Sequence, residues 1–130
     1  MNLVSLRTER SITTLRLERP QALNAMSEAM AREFSAAVKR AAREKSKVIV
    51  LEAAGPAFSA GGDLAFIEAN MKRPKASLAR IMRRFYGDFL SIRDVPQVTI
   101  AKIHGTAVGA GLCLALACDL RVVADDALEV

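Results

Sequence analysis

Only two cysteines, Cys113 and Cys118, and a single histidine, His104, occur in 130 residues. Five positions apart on a helix, the two thiols point roughly 140° away from each other, so neither a disulfide nor a shared metal site follows from them. There is no Cys-x-x-Cys pair, and a zinc site would have to be improvised from scattered carboxylates, so no metal is expected. Long hydrophobic runs are missing too. The most apolar stretch, Ala107 to Cys118, is broken by small residues and falls short of the ~18 continuous apolar residues of a membrane helix. The opening Met1-Asn2-Leu3-Val4-Ser5-Leu6-Arg7 meets charge too early for a signal peptide, which predicts an unprocessed cytoplasmic chain.

What is present describes an ordinary folded domain. With 52% hydrophobic and 25% charged residues, the composition is neither disordered nor collagen-like. One domain over 1–130 is expected, large enough to sustain a core without covalent staples. Acidic residues are the scarcer charge, 14 against 19 basic, giving a net +5. The excess sits in Lys39 to Lys47 and Lys72 to Arg84. Basic clusters suit polyanions, but both of these interleave with apolar residues at helical spacing, and only Phe85 and Tyr86 offer stacking surface nearby. A solvated helix face is the reading, and neither nucleic acid nor a membrane is expected as a partner.

Residues 2–8 and 11–18 read as short strands that make a plausible hairpin. Ser27 is placed to cap a helix through Met30, Phe34, Val38 and Ala41 that runs to near Glu44. Val48-Ile49-Val50-Leu51 has the continuous apolar character of a parallel strand covered on both faces. Asp63 is placed to cap a short helix, and Ser77 to begin a longer one with a stripe of Leu78, Ile81, Met82, Phe85, Phe89 and Ile92. Val98 to Ile103 reads as a second buried strand, Gly109 to Cys118 as an enclosed helix, and Leu120 to Ala124 as a third buried strand. Strands alternating with helices in this way predict an α/β fold of crossover units.

Two glycine loops, Phe58-Ser-Ala-Gly-Gly-Asp-Leu64 and Gly105-Thr-Ala-Val-Gly-Ala-Gly111, stand where a strand turns into a helix. The dinucleotide fingerprint requires a glycine where Leu114 stands, and a phosphate loop requires Gly-Lys-Ser/Thr, so both nucleotide readings fail. Either loop alone also fits a role in tight packing. As a pair, each following an apolar strand, they suit an oxyanion hole, with one backbone N–H from each loop aimed at a single carbonyl oxygen.

Arg19-Pro-Gln-Ala-Leu-Asn-Ala-Met26, Val48-Ile-Val-Leu51, Ala57-Phe-Ser-Ala-Gly-Gly-Asp-Leu64, Val95-Pro96 through Gly105, Gly109-Ala-Gly111 and Ala117-Cys-Asp-Leu-Arg121 occur in this order. Over Ile12 to Ala127 the sequence thereby resembles the crotonase superfamily, the enoyl-CoA hydratase and isomerase relatives. The resemblance implies an α/β crotonase-like (ClpP/crotonase) spiral of ββα units, of which 1–130 supplies the front portion without the C-terminal part. Relatives assemble as homotrimers or pairs of trimers through C-terminal helices that this sequence does not contain. A chain ending at Val130 is therefore expected to expose apolar surface.

The resemblance further implies an acyl-CoA thioester substrate, with coenzyme A part of the substrate and no separate cofactor. The N–H groups of Gly62 and Ala110 would hold the thioester oxygen, with Gly109 beside them. Ala22, Leu23 and Ala60 would follow the coenzyme A arm, and Asp63, Leu64 and Ala65 would lie near the acyl group. An aspartate opening a helix is first of all an N-cap, so Asp63 reads as a cap before an acid. Arg19 either meets a coenzyme A phosphate or covers the surface.

Cys113 stands where hydratases of the family carry a catalytic glutamate. A thiol near a helix start is a possible nucleophile, but the favoured reading is a small buried filler in an apolar helix. The second family glutamate would fall just past Val130, with Glu129 at best a displaced substitute. Losing the first glutamate turns the expectation from two-glutamate hydration toward double-bond isomerisation or thioester hydrolysis. The alternative is a non-catalytic acyl-CoA-binding or subunit-interaction fragment. His104 and Asp119 are expected to be structural, Asp119 as an anchor for backbone N–H groups.

Overall fold

β-Branched runs and four-residue apolar repeats resolve into nine main elements among the described residues. In chain order they are β1 (Val4–Glu9), β2 (Ile12–Leu17), α1 (Glu28–Ala42), β3 (Val48–Ala53), α2 (Leu64–Asn70), α3 (Lys75–Leu90), β4 (Val98–Ile103), α4 (Ala110–Leu116) and β5 (Leu120–Val123). Short 3-10 turns occupy Pro20–Ala22 and Ser91–Asp94. The structure is a computed structural model and describes residues 2–127, so Glu129 lies outside the described residues. No helix among them is long and apolar enough to cross a membrane.

The five strands form one sheet in the order β1-β2-β3-β4-β5. β1 and β2 are the expected antiparallel hairpin, turned at Arg10 with φ 58°, and the remaining pairs are parallel. Parallel neighbours require crossovers, which α1, then α2 with α3, then α4 supply. Thr13, Leu15 and Leu17 of β2, Ile49, Leu51 and Ala53 of β3, and Thr99, Ala101 and Ile103 of β4 form the buried face.

Helix α1 lies against this face because Met30, Ala31, Phe34, Ala37, Val38 and Ala41 recur on one side of it. Ser27 caps it as expected, its hydroxyl accepting from the Met30 N–H at 3.2 Å. Helix α3 packs on α1 through Phe34 and Phe89, whose ring centroids are 5.3 Å apart, and Phe85 stacks on Phe66 of α2 at 4.4 Å. α3 begins at Lys75 rather than Ser77, because Pro74 stands just outside the helix with φ −54° and needs no side-chain cap.

Three expectations of burial are corrected. β3 and β4 are buried on one face only: Val48, Val50 and Ile100 are half-buried and Val98 is exposed. β5 is exposed along its whole length, with Leu120 at 55% and Val122 at 61%. α4 is three residues shorter than expected and is not enclosed, since Leu116 is 58% exposed. The strands share a cause, whereas Leu116 of α4 opens on a separate groove beside Leu90 and Arg93. The sheet face carrying Ile12, Val98, Leu120 and Val122 has no layer packed on it among the described residues, so apolar strand composition that fits two covered faces meets only one.

Candidate functional site

The two glycine loops are extensions of β3 and β4, and they continue the parallel pairing of those strands. The Phe58 and Ser59 N–H groups both donate to Thr106 O, at 2.9 and 3.1 Å, and the Val108 N–H donates to Ser59 O at 3.0 Å. Gly111, in the first turn of α4, crosses directly over this pair. A Cβ placed on Gly111 would lie 2.6 Å from the Ser59 Cβ and 2.7 Å from its carbonyl oxygen. A Cβ on Gly61, where φ is 94°, would lie 2.8 Å from Val108 O and 3.6 Å from the Ala110 nitrogen. Only glycine at both places lets the loops close on each other.

That closure sets the direction of the Gly62 N–H. The Gly61 carbonyl accepts from the Met26 N–H at 2.7 Å, and the Met26 carbonyl accepts from the Asp63 N–H at 3.0 Å. The Gly61–Gly62 peptide is planar and trans, so with its carbonyl turned toward Met26 its N–H points to the opposite side. Ala110 is the first residue of α4, where a helix leaves its N–H unpaired. Among the described residues neither the Gly62 nor the Ala110 N–H meets an acceptor. Each unpaired donor can polarise an oxygen brought to it.

The loops rest on a buried polar frame that periodicity does not disclose. Asn24, fully buried in the left-handed region at φ 54°, donates from Nδ2 to Ala54 O at 2.8 Å and Ala57 O at 3.0 Å, and its Oδ1 accepts from the Arg19 N–H at 2.8 Å. Buried Ser59 donates from Oγ to Asn24 O at 2.9 Å and accepts from the Gly61 N–H at 3.1 Å. The signal for both was a polar residue inside an otherwise apolar or turn-forming motif.

Asp63 caps α2, as expected, with Oδ1 accepting from the Phe66 N–H at 3.0 Å. Its Oδ2 accepts from Arg19 Nη1 at 2.6 Å, and the same nitrogen donates to Ala25 O at 3.1 Å. Arg19 is thus more than surface cover, its Nη1 being committed to Asp63 and Ala25. Its guanidinium is the main reason the Asp63 carboxyl titrates below its ordinary value, with the Phe66 and Ala65 N–H groups adding to the effect against the opposing cost of burial. A depressed carboxyl contributes stability that is full above its unfolded pKa of 3.8 and is lost as pH falls through the lower folded value. Urea midpoints of wild type and Asp63→Asn are expected to differ at pH 6 and converge as the pH drops below 3.8. A gap that stays constant into acid would contradict this assignment.

The other expected site residues fall into two groups. Half-buried Ala22, exposed Leu23 and exposed Ala60 lie together, with the Ala60 N–H donating to Leu23 O at 2.9 Å. Leu23, at φ 53°, is held in a conformation unfavourable for its type. Leu64, 74% exposed, and Ala65 open α2 on the solvent side of Asp63, while exposed Gly109 turns the chain into α4 with φ 55°. Cys113 stands apart. It is exposed and opens on a groove of about 430 Å³ lined by Leu90, Arg93, Leu116 and Ala117, with no residue of the first glycine loop.

The buried-filler reading of Cys113 is therefore corrected. The buried thiol is Cys118, which desolvation pushes up to about 11. Asp119 is the expected backbone anchor, its Oδ2 accepting from the Thr99 N–H at 2.9 Å. His104 Nε2 donates to Gly55 O at 2.6 Å.

Residues 7–128 match the family model described as enoyl-CoA hydratase/isomerase. The chain is 35% identical over 117 residues to a Mycobacterium tuberculosis protein named probable enoyl-CoA hydratase echA6, covering 90% of this chain and 45% of that protein. It is 30% identical over 128 residues to the human mitochondrial Delta(3,5)-Delta(2,4)-dienoyl-CoA isomerase, covering 92% of this chain and 39% of that one. A crystal structure of a probable enoyl-CoA hydratase from Mycobacterium smegmatis superposes with a TM-score of 0.89 at 37% identity, over 99% of this chain and 52% of that one. The chain spans about half the length of the curated relatives it matches.

Proposed function

The chain belongs to the enoyl-CoA hydratase/isomerase family and has the crotonase fold, and from that premise we propose that it binds an acyl-CoA thioester with the carbonyl oxygen between the Gly62 and Ala110 N–H groups. The observation that carries this reading is the pair of donors without acceptors on loops that interlock at Gly61, Val108 and Ala110. Removing a proton beside a thioester carbonyl moves an electron pair onto that oxygen. A preorganised donor aimed at the developing charge typically contributes about 3 kcal/mol. Ala22, Leu23 and Ala60 follow the coenzyme A arm in this reading, and Asp63, Leu64, Ala65 and Gly109 border the acyl end.

Isomerisation fits these residues better than hydration. Converting a 3-enoyl to a 2-enoyl thioester takes one proton from C2 and returns one to C4, whereas water addition also needs a base for the water. Cys113, where the family's hydratases have glutamate, offers one exchangeable proton and no carboxylate. Thioester hydrolysis shares the same oxyanion and is the neighbouring possibility. A second reading, a non-catalytic acyl-CoA-binding or subunit-interaction fragment, is favoured by the uncovered sheet face with Ile12, Val98, Leu120 and Val122 exposed. The proposed assembly is the homotrimer or pair of trimers of the family.

Ala110→Pro tests the oxyanion reading directly. Ala110 is the first residue of α4, where proline is tolerated, so the change leaves the helix in place while replacing the N–H with the ring Cδ. With cis-3-hexenoyl-CoA and crotonyl-CoA as parallel substrates, isomerisation is expected to outpace hydration. The variant should lose about 100-fold in kcat while keeping the wild-type circular dichroism. An undiminished kcat in Ala110→Pro would sink the reading, and thioester binding without turnover by the wild type would favour the second.

A further inference from the structure

We propose that Arg19 is a positioning residue for the Gly62 N–H, acting through Asp63 and the Ala25 carbonyl; this inference rests on the oxyanion reading of Gly62. The direction of that N–H depends on an isolated bridge between Met26 and Gly62, outside the main sheet. The bridge consists of the bonds from Met26 N–H to Gly61 O and from Asp63 N–H to Met26 O. So short a pairing between irregular segments opens readily unless something else holds both sides.

Arg19 does so with a single atom. Its Nη1 donates to Ala25 O, one residue before Met26, and to Asp63 Oδ2, one residue after Gly62, at 3.1 and 2.6 Å. The guanidinium therefore straddles the bridge. The ion pair is charge-assisted and largely withdrawn from solvent, with side-chain exposures of 25% for Arg19 and 13% for Asp63. Asp63 is in turn fixed to α2 through Oδ1 and the Phe66 N–H, so the clamp runs from the helix, across the bridge, to the segment carrying Met26.

Without the clamp the fold keeps its sheet and its Asn24 frame, but the Gly61–Gly62 peptide is free to rotate. A donor swung out of line no longer stabilises the oxyanion. Arg19 touches no reacting atom, so its loss should weaken polarisation of the bound thioester more than binding of its coenzyme A arm.

Two measurements on the full chain test this. In the ligand-free protein, nitrogen-15 amide exchange is expected to quicken about tenfold at Met26 and Asp63 in Arg19→Met and in Asp63→Asn, while the Leu51 and Ala101 amides of the sheet keep their protection. Asparagine still accepts from the Phe66 N–H, so Asp63→Asn spares the cap. Arg19→Lys, which retains the charge but not the fork, should restore part of the protection. Second, with crotonyl-CoA carrying carbon-13 at the carbonyl, the infrared stretch should move to lower wavenumber on binding the wild type, and Asp63→Asn should lose most of that shift at equal occupancy. Unchanged Met26 and Asp63 amides alongside a shifted wild-type carbonyl would overturn the positioning role alone. A wild-type carbonyl that does not shift on binding would overturn the oxyanion reading, and the positioning role with it.

Discussion

Gly111→Ala is expected to destabilise the protein by about 3 kcal/mol, at the upper end of what a single added methyl costs in a packed site. The new Cβ would sit 2.6 Å from the Ser59 Cβ, 2.7 Å from its carbonyl oxygen and 2.8 Å from its Oγ. Ser59 has nowhere to go, because its hydroxyl is tied to Asn24 O and the Gly61 N–H and its carbonyl accepts from Val108. Relief therefore comes by parting the loops, which should also abolish polarisation of a bound thioester. Gly87 in α3 is the control: a Cβ there meets nothing within 4 Å, so Gly87→Ala should raise stability by roughly 0.5–1 kcal/mol. Urea unfolding of both variants beside wild type decides the matter. A Gly111→Ala midpoint indistinguishable from wild type would show that the two loops are not in contact.

Asn24→Ala is expected to cost about 4 kcal/mol. The substitution strips Ala54 O and Ala57 O of their donor and the Arg19 N–H of its acceptor, and each buried group left unpaired costs roughly 1–3 kcal/mol. It also puts alanine at φ 54°, which asparagine tolerates better. Asn24→Asp is a sharper probe, since it replaces the Nδ2 donor with a carboxylate oxygen facing two carbonyls. Both should unfold at lower urea than wild type, and a deficit below about 1 kcal/mol would mean that water takes the place of the side chain.

The parts of this molecule legible in its sequence are those governed by period and local chemistry. The Met30, Phe34, Val38 and Ala41 spacing marked α1, and the serine and aspartate caps at Ser27 and Asp63 marked two helix starts. The ordered motifs carried the family, and the glycines carried the meeting of the two loops, because close backbone approach leaves few alternatives to glycine. The dual role of Arg19 was not legible. Its partners Ala25 O and Asp63 lie on segments brought together only by the Met26–Gly62 bridge, and a surface arginine looks the same with or without them. Exposure of the outer sheet face is illegible for a different reason. Valine and leucine in β4 and β5 record a strand's suitability for a covering layer, not the presence of that layer. The exposure of Cys113 is illegible for the same reason, since an apolar helix does not say which of its sides is covered.

The strand order β1-β2-β3-β4-β5 has a consequence for how the molecule is made. Each strand pairs with the one synthesised immediately before it, so a chain emerging from the ribosome never holds an edge in reserve for a partner encoded far downstream. The β1–β2 hairpin can form first, and each later strand arrives with its own crossover helix at a ready edge. Assembly is vectorial, and nascent chains arrested after β3 or after β4 should already protect the amides of every strand released from the exit tunnel.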